Sequence, residues 1–82
     1  MSKKSQLKKE IADSEREIAA LEAKRARSQS ALMTAMLKGT KADPADEEYF
    51  RVFSALIDTE RENLRRLQAE LDGLKKKPEE EV

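Results

Sequence analysis

Residues 36–47, Met36-Leu37-Lys38-Gly39-Thr40-Lys41-Ala42-Asp43-Pro44-Ala45-Asp46-Glu47, contain the end of one helix and the start of another. Gly39 follows a basic residue and offers the left-handed backbone with which helices commonly close. Asp43 reads as an N-cap, and Pro44 takes the first helical position, where its missing N–H costs nothing. Asp46, Glu47 and Glu48 sit at the positive end of the helix dipole. The spacing predicts one domain over 1–82, with helix one over about 3–38, a turn over 39–43, helix two over about 44–76 and a frayed tail over 77–82. Gly73 weakens the end of helix two, Lys75 to Lys77 suit its negative pole, and Pro78 stops it.

On either side of this turn, each helix carries one stripe at alternating steps of three and four. The pairs Ile11 and Leu74, Ser14 and Leu71, Ile18 and Leu67, Leu21 and Leu64, Arg25 and Glu60, Ser28 and Ile57, Leu32 and Phe53, and Ala35 and Phe50 all have numbers totalling 85. A chain doubling back once would set these stripes face to face, so the expected fold is all-α: an antiparallel two-helix coiled-coil hairpin. In that alignment the only acid of the second stripe meets the only base of the first. Arg25 and Glu60 are therefore expected to pair and to fix the register, or else to extend past the seam into water. Glu22 is expected to reach Arg61, and Glu17 to lie near Glu70.

Charge supports the same topology. Residues 1–38 hold nine Lys/Arg and five Asp/Glu, whereas residues 43–74 hold four and nine, so the arms attract although the whole chain is neutral. There is no Cys and no His, which removes disulfides, Cys/His zinc sites, thiol nucleophiles and imidazole chemistry. No enzyme, cofactor or metal is expected. No run approaches the roughly 18 apolar residues of a membrane span, and the start Met1-Ser2-Lys3-Lys4-Ser5 leads into a charged helix, so a cytoplasmic protein is expected. The open-end bases Lys3, Lys4, Lys8, Lys9 and Lys75 to Lys77 have no aromatic residue among them, and direct nucleic-acid binding is not expected.

Apolar residues spill off the seam toward the turn. Met33, Met36, Leu37, Tyr49, Val52 and Leu56 stand beside or behind it, a surface wider than two helices can cover. Large exposed apolar patches mark interfaces, Met adapts to irregular partners, and Tyr49 and Phe50 offer aromatic anchors. The expected partner is a helical protein received by helix-in-groove burial, or a second copy that completes a four-helix bundle. The acidic tip, with Asp43 and Asp46, is explained by helix capping without any ligand, and it lacks the spacing of an EF-hand loop.

From Ala31 to Leu67 the chain resembles the small hairpin cochaperones of type III secretion, the YscE-like proteins. The shared features are Ala31-Leu32, Met36, Gly39 opening the turn, Tyr49 near the start of helix two, and Leu56, Leu64 and Leu67. That resemblance implies a cytoplasmic cochaperone or assembly adaptor that keeps a helical client soluble. The run Asp43-Pro44-Ala45-Asp46-Glu47-Glu48-Tyr49-Phe50 with Asp58-Thr59-Glu60-Arg61 is similar to the coiled-coil finger of DksA-type regulators. This second resemblance implies insertion of Asp43 and Asp46 into the secondary channel of RNA polymerase. Here Glu48 stands where that family has Ala, and without Cys there is no zinc-bearing globular domain. A third reading is a homodimeric structural scaffold.

Overall fold

The computed structural model describes residues 2–75; the expected tail over 77–82 and the end of helix two at 76 lie outside the described residues. Two helices, α1 (Lys3–Lys38) and α2 (Pro44–Lys75), pack along their whole length as an all-α helical hairpin. At 1.5 Å per residue α1 is about 54 Å long, and the molecule measures 63 × 17 × 16 Å, a cross-section that holds two helices and no third layer.

Each terminus is closed by its own chemistry. Ser2 has extended backbone, and its hydroxyl accepts from the amide of Ser5 at 3.1 Å, satisfying one of the orphan donors of α1. At the other end Gly39 has φ +67°; its amide donates to the carbonyl of Met36 at 3.2 Å, and that of Thr40 to the carbonyl of Ala35 at 2.9 Å. These two bonds form a Schellman motif, which requires the left-handed residue. Asp43 caps α2 through Oδ1, which accepts from the amide of Ala45 at 2.9 Å, while its carbonyl receives Asp46 and Glu47.

The seam consists of buried Leu7, Ser14, Leu21 and Ser28 on α1 and buried Ile57 and Leu71 on α2, with half-buried residues between them at heptad spacing. The stripes are those expected from the sequence, but the register is not the one in which paired numbers total 85. Ser14 does not face Leu71: its hydroxyl donates to Glu60 Oε2 at 2.7 Å, about 16 Å nearer the turn along α2. Arg25 does not pair with Glu60. Its guanidinium lies 6.0 Å from the centroid of the Phe50 ring and donates to Ser54 Oγ at 3.4 Å. Lys3 meets Glu70 at 3.2 Å, so Glu70 does not stand beside Glu17 as expected, whereas the expected pair of Glu22 and Arg61 forms at 2.7 Å.

These contacts shift the alignment by about one heptad, bringing Leu7 level with Leu71 and Leu21 level with Ile57. The reason lies at the open end. The expected register would set Leu7 opposite Pro78, a residue whose ring and missing N–H do not suit a helix interior, so by sequence that register offers Leu7 no continuous helical seam. In the observed register Leu7 is 2 % exposed. Fully burying a leucine is worth about 1.5–3 kcal/mol, whereas a partly exposed ion pair yields about 0–1 kcal/mol, so Leu7 outweighs the pairing of Arg25 with Glu60. At the turn the amide and hydroxyl of Thr40 both donate to the carbonyl of Ala35, at 2.9 and 3.3 Å, and Met36 and Leu37 are left exposed.

Candidate interaction surfaces near the turn

A helix packed along one stripe has two flanks, and in an antiparallel pair the residues that follow seam positions by one share a flank, while those that precede them share the other. Two cross-helix ion pairs mark the sides. Glu22 and Arg61 follow Leu21 and Glu60; Lys3 and Glu70 precede Lys4 and Leu71.

The six apolar residues expected to bind a partner are all exposed, but they do not form one patch. Met36 follows the seam residue Ala35 and Met33 follows Leu32, with Leu37 on the outer surface beside them; Met36 and Leu37 are 79 % and 85 % exposed. Tyr49 precedes Phe50, Leu56 precedes Ile57 and Val52 precedes Phe53, which puts all three on the opposite flank. The turn-proximal half therefore presents two apolar surfaces back to back. Phe50, the other aromatic anchor expected from the sequence, is half-buried in the seam beneath Arg25.

On the Tyr49 flank the ring of Tyr49 stacks on Phe53 with centroids 6.2 Å apart. Together with Lys24, Arg27, Ser28 and Asp46 the two rings line an open groove of about 350 Å³. The same flank carries a second hollow toward the open end, about 310 Å³, lined by Glu10, Asp13, Ser14, Glu17, Glu60, Asn63 and Leu67. Glu60 Oε2 accepts from both Ser14 Oγ, at 2.7 Å, and Asn63 Nδ2, at 2.9 Å. These bonds, Ser14's first, hold the Glu60 carboxyl below its ordinary 4.5 against the opposing effect of burial.

Sequence reasoning missed Leu7 as a seam residue and missed the charges of this flank. The signal was available for both: Leu7 precedes Ile11 by four and Ser14 by seven, and Glu10, Glu17 and Lys24 each precede a seam position by one. At the acidic tip Asp43 caps α2 and Asp46 sits half-buried at the groove. Among the described residues no group of three His, Cys, Asp or Glu could hold a metal ion, and no helix is long and apolar enough to cross a membrane. Neither models of known protein families, nor curated proteins, nor solved structures match this chain.

Proposed function

We propose that this chain is a non-enzymatic protein-interaction module, a cochaperone or assembly adaptor of the cytoplasm that buries apolar side chains near its turn against a helical partner. One observation carries the reading. Every large apolar side chain exposed among the described residues (Met33, Met36, Leu37, Tyr49, Val52 and Leu56) lies in the half of the hairpin nearest the turn, while the open end exposes charge. Isolated exposed apolar residues are ordinary, but six gathered within one end of so small a protein mark a surface that is covered in use.

The exposed apolar end of α1 suits a helical client. Met33, Met36 and Leu37 are spaced by three, four and one, the pattern with which an amphipathic helix occupies an apolar groove, and flexible methionines adapt to its shape. Because these three side chains are exposed outside the seam, a client packs on this flank without opening it.

The test is capture from native lysate with the wild-type chain, Met36→Asp/Leu37→Asp and Lys9→Asp in parallel. The reading expects the first variant to lose the proteins that the other two retain. Identical captured proteins on all three would overturn it.

A further inference from the structure

We propose that the flank bearing Tyr49, Val52 and Leu56 is self-complementary, and that two copies of this chain pair through it with their turns at opposite ends, forming a four-helix bundle. This deepens the interaction reading above by assigning a partner to one of the two apolar surfaces, and it leaves Met33, Met36 and Leu37 free.

Four charges on this flank set the pairing. Several charges among the described residues enter no ion pair, and Glu10, Glu17, Lys24 and Arg27 are the four of them that α1 carries on this flank between Leu7 and Ser28; Asp13, also on this flank, pairs with Arg16. All four stand on one flank, in the order acid, acid, base, base along α1. The two acids border the hollow at Glu60 together with Asp13, and the two bases border the groove at Tyr49 together with the single acid Asp46.

Such an order complements itself on rotation. A two-fold axis crossing the flank midway between Glu17 and Lys24 lays α1 against its copy in the reverse direction, bringing Glu17 opposite Lys24 of the partner and Glu10 within a turn of Arg27 of the partner. In the hairpin's register, that axis meets α2 near Leu56 and Ile57. Exposed Leu56 therefore lies beside its own copy at the centre, and Val52 and Tyr49 reach toward Asn63 and the hollow beyond it. The charges form a rim around an apolar centre, as interfaces do. Arg66, which donates to Asn63 Oδ1 at 3.0 Å, stands where the ring of Tyr49 arrives. The alternative, an axis along the hairpin with both turns together, would set Lys24 and Arg27 at the level of their own copies and crowd the two acidic hollows together.

A two-helix hairpin buries one seam, and a second copy supplies a further apolar layer that a chain of this length otherwise lacks. The occupant of this flank is thus decided by charge order together with the apolar centre.

The experiment is sedimentation equilibrium of the pure protein at 10–100 micromolar, an order-of-magnitude range suited to standard interfaces. The wild type should show twice the mass of one chain. Glu10→Lys/Glu17→Lys and Lys24→Glu/Arg27→Glu should each associate at least tenfold more weakly, and an equimolar mixture of the two should recover the doubled mass, which also shows that both variants are folded. Leu56→Cys should cross-link to itself on mild oxidation while Leu37→Cys on the far surface does not. A single-chain mass for the wild type, failure of the mixture to recover, or efficient self-cross-linking of a cysteine at Ala31 in place of Leu56 would overturn the arrangement. No client enters this measurement, so a failure of client capture would not touch it, and a monomeric wild type would leave the client surface at Met36 standing.

Discussion

The hydroxyl of Ser14, buried in the seam, donates to Glu60 Oε2 at 2.7 Å, and Asn63 donates to the same oxygen at 2.9 Å. Two neutral donors thus satisfy the one acid of the α2 seam. Apolar stripes that repeat every seven residues do not by themselves choose between alignments one heptad apart, because leucine meets leucine in both. A polar pair inside the seam does choose. Sliding α2 outward by a heptad would remove Glu60 from Ser14 and set that hydroxyl against leucine.

Removing this pair should therefore separate stability from register. Ser14→Ala is expected to cost about 1 kcal/mol, the usual net value of a hydrogen bond to a partly buried acceptor. Ser14→Leu/Glu60→Leu should be at least as stable as the wild type by urea unfolding, since the seam becomes continuous. Spin labels at Lys9 and Asp72 should then report a second distance population, displaced along the axis by about one heptad, or 10 Å. A single narrow distribution in the double variant would show that the pair does not set the register.

Leu7 provides the complementary test at the open end. It is 2 % exposed, and Ile57 at mid-seam is fully buried. Replacing either with Ala should cost about 2–4 kcal/mol, whereas Met36→Ala should change stability by less than about 0.5 kcal/mol. Urea midpoints or loss of helical circular dichroism would read these directly. A near-neutral Leu7→Ala would return the hairpin to the outward register.

Acid should weaken the hairpin in a way traceable to Glu60. Its carboxyl is held below 4.5 in the fold by Ser14 and Asn63, so the fold favours the ionised form. A carboxyl with a depressed folded value contributes stability that is complete above the unfolded value and is lost as pH falls through the folded one. Thermal unfolding should therefore be flat between about pH 7 and 5 and decline below about 4.5. Glu60→Gln should show a shallower decline, the remainder belonging to other carboxylates such as Glu62, which Arg65 pulls down by hydrogen bond and charge. Equal slopes for both proteins would remove Glu60 from the account.

The turn makes a prediction that depends on backbone alone. Nothing lies within 4 Å of a Cβ placed on Gly39, so Gly39→Ala meets no steric neighbour and pays only for φ +67°. The cost should be about 1–2 kcal/mol, and Gly39→Asn should cost less. Asp43→Ala should cost about 1 kcal/mol through the lost cap of α2. Calorimetry of the three variants would check the order; equal stability of Gly39→Ala and wild type would mean that the Schellman closure is dispensable.

The elements were legible because their signals are local. Caps at Gly39, Asp43 and Pro44 and the three-four spacing of apolar residues need no knowledge of the partner helix. Register was not legible from the same signals, because it depends on the competition between aligned lengths, and the appeal of opposite charges at Arg25 and Glu60 was the weaker term. Exposure of Met33, Met36, Leu37, Tyr49, Val52 and Leu56 followed from the sequence too. Their division between two flanks emerges once each is placed one step before or after its neighbouring seam residue.

That division makes the last prediction. Tyr49→Asp and Met36→Asp both alter exposed side chains and leave the seam whole, so helicity should survive in each; the former also loses the stacking of Tyr49 on Phe53, at about 0.5–1.5 kcal/mol. If the flanks serve different partners, the variants should fail in different assays: Tyr49→Asp in self-association and Met36→Asp in client capture, with the double variant losing both independently, as distant sites do. Circular dichroism, sedimentation and capture on the same three preparations would test this. Loss of both properties in either single variant would mean that the two surfaces act as one, and collapse of helicity would mean that the substituted side chain supports the fold itself.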